Sequence, residues 1–183
     1  MQDLTPVRVP ALIVMGVSGS GKTTLAQALS RAISLEFVEG DDLHSAANIA
    51  KMRRGESLDD DDRAPWLAAI GRRLADAQQA LHGIVISCSA LKVAYRNALR
   101  VAPGVRFIFV DAGRDLIEQR LAHRQGHFMP RGLVASQFDT LERPRANETD
   151  VLTLPEGLPL EESLRRVALF LDPRGALIGQ EPV

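Results

Sequence analysis

The sequence predicts an α/β protein built on a parallel β-sheet with helices on both faces, and three observations predict it. Five short, largely apolar segments recur along the chain: ALIVM (11–15), LEFVE (35–39), GIVISCS (83–89), VRFIFVD (105–111) and DVLTL (150–154). Helix-like stretches separate them, and strands buried on both faces of a parallel sheet read as such apolar runs. A glycine-rich loop, GVSGSGKTT (16–24), joins the first strand to the first helix.

The elements follow in order. ALIVM reads as a buried strand, and KTTLAQALSRAI behind the loop puts Leu25, Ala28, Leu29 and Ala32 on one helical face. After LEFVE comes a polar, helical region from His44 to about His82, and after GIVISCS a helix near Lys92 to Arg100. VRFIFVD leads into an Arg-rich helix from about Arg114 to Arg124, a loop GHFMPRG (126–132) and a helical piece to Arg143. DVLTL precedes a last helix, LEESLRRVALFL (160–171). The tail DPRGALIGQEPV (172–183), with two prolines and two glycines, reads as a loosely held terminus. No internal repeat, low-complexity tract or linker divides the chain, so residues 1–183 are expected to form one domain.

A chain of 183 residues can bury a sizeable core. Its 22 Lys and Arg nearly cancel its 23 Asp and Glu, so no global field recruits nucleic acid or an anionic membrane, and any anion site is local. The single Cys88 excludes an internal disulfide and a multi-cysteine zinc site. The N-terminal MQDLTPVRVP is not a signal peptide, and no apolar stretch approaches the roughly 20 residues that span a bilayer. A soluble, cytoplasmic protein is expected.

The loop fits G-x-x-x-x-G-K-[ST] at Gly16, Gly21, Lys22 and Thr23, in the strand–loop–helix context that the motif requires. Backbone N–H groups wrap a polyphosphate only where side chains do not intrude. Gly16, Gly19 and Gly21 therefore supply dihedral freedom, while Ser18 and Ser20 stay small. The helix N-terminus adds partial positive charge, with Thr24 in its first turn. Lys22 is expected on the terminal phosphates, with the Thr23 hydroxyl holding Mg2+ beside ATP. Ligands of such folds bind at the C-terminal edge of the sheet, which directs attention to the segments just after each strand.

Three of those segments agree in order and spacing with one family. GDDLHSAANIAKMRRGESLDDDDRAPWL (40–67), CSALKVAYR (88–96) and GHFMPRGLVASQFDTLERP (126–144) closely resemble the gluconokinase family of P-loop sugar-acid kinases, from about Val9 to Leu171. The resemblance implies ATP-dependent phosphorylation of D-gluconate at its 6-hydroxyl, giving 6-phospho-D-gluconate. It also implies a three-layer P-loop kinase fold like that of shikimate and nucleoside-monophosphate kinases, with strand order 2-3-1-4-5, a mobile lid over about residues 124–135, and a cytosolic homodimer.

Asp41 follows the second strand by two residues, where a carboxylate can accept the acceptor hydroxyl's proton. The alternative is that Asp41 or Asp42 caps the next helix. Related small-molecule kinases place an acceptor-binding Asp at this point, so the substrate role goes to Asp41 and the cap to Asp42. The resemblance raises His44 to a substrate contact against a plain polar-surface reading, and Arg63 is placed with the substrate-side helices. Lys92 and Arg96, four apart, share a helical face that would meet the substrate carboxylate; a solvated basic face is the alternative. Arg120 and Arg124 have the same spacing at the mouth of the lid, with Arg124 on phosphate or adenine during transfer. His127 is assigned to the substrate, and the role of Arg131 is open. His123 and His127 lack a third ligand for zinc. The run DDDDR (59–63) reads as a solvated face, Trp66 as packing, and Asp111 as a turn residue instead of a metal ligand.

Two other readings compete. Another small hydroxy acid, such as shikimate, would use the same phosphate chemistry. A regulatory nucleotide-binding module would need guanine-reading N-K-x-D, which is absent, and the only D-x-x-G lies beyond the last helix at Asp172–Gly175.

Overall fold

The computed structural model describes residues 9–100, 104–122 and 131–173. Strands β1 (Ala11–Met15), β2 (Glu36–Glu39), β3 (Ile84–Cys88), β4 (Val105–Val110) and β5 (Val151–Leu154) form one sheet in the order β2-β3-β1-β4-β5. Every pairing is parallel. The helices are α1 (Lys22–Ala32), α2 (Ala46–Arg53), α3 (Asp60–Gln79), α4 (Val93–Leu99), α5 (Arg114–Ala122), α6 (Arg131–Thr140) and α7 (Leu160–Leu171).

The pleat of β1 divides the core. Ala11, Ile13 and Met15 pack with Trp66, Ile70 and Leu74 of α3 on one face, and Leu12 and Val14 pack with Leu25 and Leu29 of α1 and Val167 of α7 on the other. Successive strand side chains point to opposite faces, so a continuous apolar run is what a strand covered on both sides requires. All five residues of β1 and of β3 are buried. This is the three-layer arrangement and strand order that the family resemblance implied.

The helical region expected from His44 to about His82 is two helices. Gly55, at φ 80°, turns the chain after α2, and Asp59 starts α3 with a reciprocal capping box. Its carboxylate accepts from the Asp62 N–H at 2.8 Å, and the Asp62 carboxylate accepts from the Asp59 N–H at 3.0 Å. The DDDDR run is thus more than a solvated face. Asp62 also takes Lys51 at 2.5 Å, and Asp60 takes Lys92 at 2.6 Å and the Tyr95 hydroxyl. Acids in a first helical turn also complement the positive end of the helix dipole.

Arg96 corrects a second expectation. It does not share an open face with Lys92: its side chain is 1% exposed and forms a two-pronged pair with Glu148 at 2.7 Å on each prong. Its remaining terminal nitrogen donates to the carbonyls of Glu142 at 3.0 Å and Leu91 at 3.4 Å. Arg100 adds a 2.9 Å bond to Glu148 and holds Asp150 at 2.7 Å. The guanidinium is spent on tying α4 to the segment before β5, so substrate carboxylate recognition does not fall to it. Hydrogen bonds from Arg96, then Arg100, pull the Glu148 carboxyl down to about 2 against the opposing effect of burial.

Removing one member of a buried ion pair leaves its partner uncompensated. Arg96→Met is therefore expected to lower unfolding free energy by about 3 kcal/mol in urea titrations. A loss below about 1 kcal/mol would show the clamp to be dispensable.

Candidate active site

The site is built where the chain leaves β1 and β2. At Gly16, φ is 143° and a Cβ would stand 2.7 Å from the Val110 carbonyl oxygen, so only glycine lets the loop pass β4. Gly19 and Gly21 also hold positive φ, as the motif demands. On the neighbouring crossover, a Cβ on Gly40 would overlap the Ser87 carbonyl of β3. That close approach brings the 3₁₀ turn Gly40–Leu43 to the same sheet edge.

A cleft of about 1060 Å³ runs along this edge, lined by the phosphate loop, Glu39, Asp41, Arg120 and the loop from Pro155 to Leu158. Lys22 Nζ donates to the Val17 carbonyl at 3.0 Å. Burial pulls its pKa below the ordinary lysine value, while Asp41, then Cys88 and Glu39, push it back up. Thr23 Oγ1 donates to Glu39 Oε2 at 2.8 Å, and Ser87 Oγ holds the other Glu39 oxygen. Ser20 Oγ is buried and finds no partner among the described residues, which suits a loop shaped around a ligand. Arg120 donates to the Gly19 and Ser20 carbonyls, each at 3.2 Å, so α5 grips the loop from outside. Thr24 is exposed in the first turn of α1 and lines the cleft. Cys88, beneath the loop, has its thiol pushed up to about 12 by burial and is no nucleophile.

The turn after β2 is organised by Trp66. Its indole N–H donates to the Gly40 carbonyl at 2.7 Å, and its ring stacks on His44 at 4.4 Å and 9°. Trp66 therefore does more than pack: it holds the turn that carries Asp41. Burial, then the Arg63 charge, pushes the His44 pKa down to about 4, so the imidazole stays neutral at physiological pH. Asp41 and Asp42 are exposed. Neither caps α2, because Ser45 does, accepting from the Asn48 N–H at 3.1 Å. Arg63 donates to the Tyr95 hydroxyl at 3.3 Å, and Arg63 and Lys92 both lie against the Tyr95 ring, 5.6 and 5.4 Å from its centre. Asp111 pairs with Arg143 at 3.2 Å and lines the same cleft as Thr23 and Glu39. His123, Arg124 and His127 lie outside the described residues, as does the Arg131 side chain.

Sequence reasoning missed Glu39 and Trp66 as parts of the site. An acid closing a strand just ahead of the GDD turn is the local signal for Glu39; the reach of Trp66 to Gly40 spans 26 residues and left none.

The family described as AAA domain matches residues 12–144. The thermoresistant gluconokinase of Escherichia coli is 44% identical over 150 residues, covering 81% of this chain and 86% of that one. The chain belongs to the gluconokinase family. Its fold is shared with a gluconokinase structure from Sinorhizobium meliloti, at TM-score 0.80 and 44% identity over 90% of this chain and 92% of that one. An unliganded sugar kinase from Janibacter aligns at TM-score 0.85 and 40% identity, covering 92% and 98%. Among the described residues of this gluconokinase-family chain, no helix is long and apolar enough to cross a membrane.

The depressed His44 pKa has a stability consequence. Between about pH 6.5 and about pH 4 the unfolded chain takes up a proton that folded His44 refuses, so stability falls as pH falls through that window. The slope contributed is at most about 1.4 kcal/mol per pH unit. Urea midpoints are expected to show this component in the wild type and to lose it in His44→Gln; an unchanged slope in the variant would place the titration elsewhere.

Proposed function

We propose that this protein transfers the γ-phosphoryl group of ATP to the 6-hydroxyl of D-gluconate, forming 6-phospho-D-gluconate and ADP. The observation that carries the reading is the meeting of Lys22 and Asp41 in one cleft, close enough for the carboxylate to act on the lysine's charge, in a chain of the gluconokinase family. The amides of Gly19 and Gly21 and those of the first turn of α1, Lys22–Thr24, take the phosphates, and Lys22 moves from the Val17 carbonyl to neutralise charge on the transferring group. The nucleoside extends towards Arg120 and the Pro155–Leu158 loop.

Asp41 receives the acceptor hydroxyl, orients its oxygen and takes its proton as the new O–P bond forms. Neutral His44 offers a hydrogen bond to a polyol hydroxyl, and Trp66 steadies Asp41 through Gly40 and His44 by stacking on it. Arg63, and Lys92 on leaving Asp60, supply the positive charge for the acceptor carboxylate; Arg96 is not assigned to it. Arg124 and His127 keep the lid-side roles that the resemblance implies. The Thr23 hydroxyl and Glu39 carboxylate form a hard-oxygen pair that fits Mg2+. When bound there with ATP, the ion neutralises phosphate charge. A single kinase domain acting as a cytoplasmic homodimer completes the proposal.

Asp41→Asn tests it. The replacement keeps size and one acceptor but removes the charge that aims the hydroxyl. A fall in kcat/KM for gluconate of about 10²- to 10⁴-fold is expected, with ATP affinity by calorimetry unchanged. Near-wild-type turnover in this variant, with Asp42→Asn inactive, would reverse the roles of the two carboxylates.

A further inference from the structure

The phosphate loop is held by a residue that no part of the catalytic scheme has used. Gln137 of α6 places Oε1 2.7 Å from the Ser18 N–H, across 119 residues of sequence. Ser18 N–H and Val17 C=O belong to the same planar peptide group. That carbonyl accepts from Lys22 Nζ at 3.0 Å and from the Ser20 N–H at 3.2 Å. One rigid plane therefore connects Gln137 on one edge to the lysine ammonium on the other.

The backing is apolar and continuous. Val134 and Phe138 of α6 pack with Val17 of the loop and Leu116 and Ile117 of α5. Ser136, next to Gln137, accepts from Ser57 Oγ at 2.8 Å, so the same helix also touches the segment between α2 and α3 on the acceptor side.

We propose that Gln137 is a positioning residue for the phosphate loop: by fixing the Val17–Ser18 peptide it sets where Lys22 waits for the phosphates. Without the acceptor on α6, the peptide keeps only the two bonds to its carbonyl, from Lys22 and the Ser20 N–H, so its plane is less tightly fixed and part of the loop's order must be restored when ATP binds. The expected size is that of one hydrogen bond, about three- to tenfold in nucleotide affinity. The role rests on the ATP-dependent kinase reading, and nucleotide affinity without an acceptor tests it separately from any assignment of gluconate.

Gln137→Met keeps the length of the side chain and removes the oxygen; Gln137→Glu keeps an oxygen within reach of the Ser18 N–H. In the full chain, Gln137→Met is expected to retain its melting temperature within about 2 °C, to bind ATP about three- to tenfold more weakly, and to leave the gluconate KM unchanged. Its Ser18 amide proton should exchange faster by NMR than in the wild type. Gln137→Glu is expected to keep Ser18 protected and, at saturating ATP, to hold kcat within about threefold of the wild type. Wild-type ATP affinity and Ser18 exchange in Gln137→Met would overturn the proposal. Loss of Ser18 protection and of kcat in Gln137→Glu would overturn it too, including where Gln137→Met fails to fold.

Discussion

The site depends on one steric constraint: β1 lies between β3 and β4, and the chain leaving it passes so close to the Val110 carbonyl that residue 16 can carry no side chain. Sheet order produces the crevice, and the glycine lets the loop enter it. The positive φ at Gly16 turns the following peptides inward, where the Val17 carbonyl collects Lys22 and the Ser20 amide. The exit from β2 obeys the same rule, with Gly40 set against the Ser87 carbonyl. Two close approaches on adjacent crossovers thus place a phosphate cradle and a carboxylate turn at one sheet edge, which is where a donor and an acceptor must meet.

Electrostatics then set what each group does. Lys22 sits partly withdrawn from water, which lowers its pKa, and Asp41, Cys88 and Glu39 offset only part of that effect. Glu39 is held from two sides by Thr23 and Ser87, which leaves it oriented towards the loop. Arginines divide into two kinds. Arg96 and Arg100 are consumed by Glu148 and Asp150 and stabilise the fold, whereas Arg63 reaches the Tyr95 hydroxyl and Arg120 the carbonyls of the phosphate loop. The difference is the kind of partner: the first two meet carboxylates, Glu148 being 10% exposed, whereas the others bond a hydroxyl and backbone carbonyls.

Much of this was legible in the sequence where the signal is local. The five strands, the phosphate loop and the Asp41 turn each show themselves within a few residues, because apolar runs, glycine spacing and a polar strand end are short-range patterns. The assignment of Arg96 failed because i, i+4 spacing with Lys92 locates neither side chain. Lys92 is the N-cap of α4, outside its regular dihedrals, and Arg96 points inward to a glutamate 52 residues later. The break between α2 and α3 was hidden by continuous polarity, although Gly55 and the Asp59 capping box mark it. Trp66 and Gln137 were invisible as parts of the site because their partners, Gly40 and Ser18, come close only through the sheet topology.

The proposed function has this cleft bring the 6-hydroxyl of a linear sugar acid to the γ-phosphate. It is tested most directly by ³¹P and ¹³C NMR of the product formed from ATP, Mg2+ and a panel containing D-gluconate, other sugar acids and shikimate. Turnover with gluconate and phosphorus coupling at C6 of the product are the expected results. Turnover with shikimate but not gluconate, or phosphorylation of gluconate at another carbon, would contradict it.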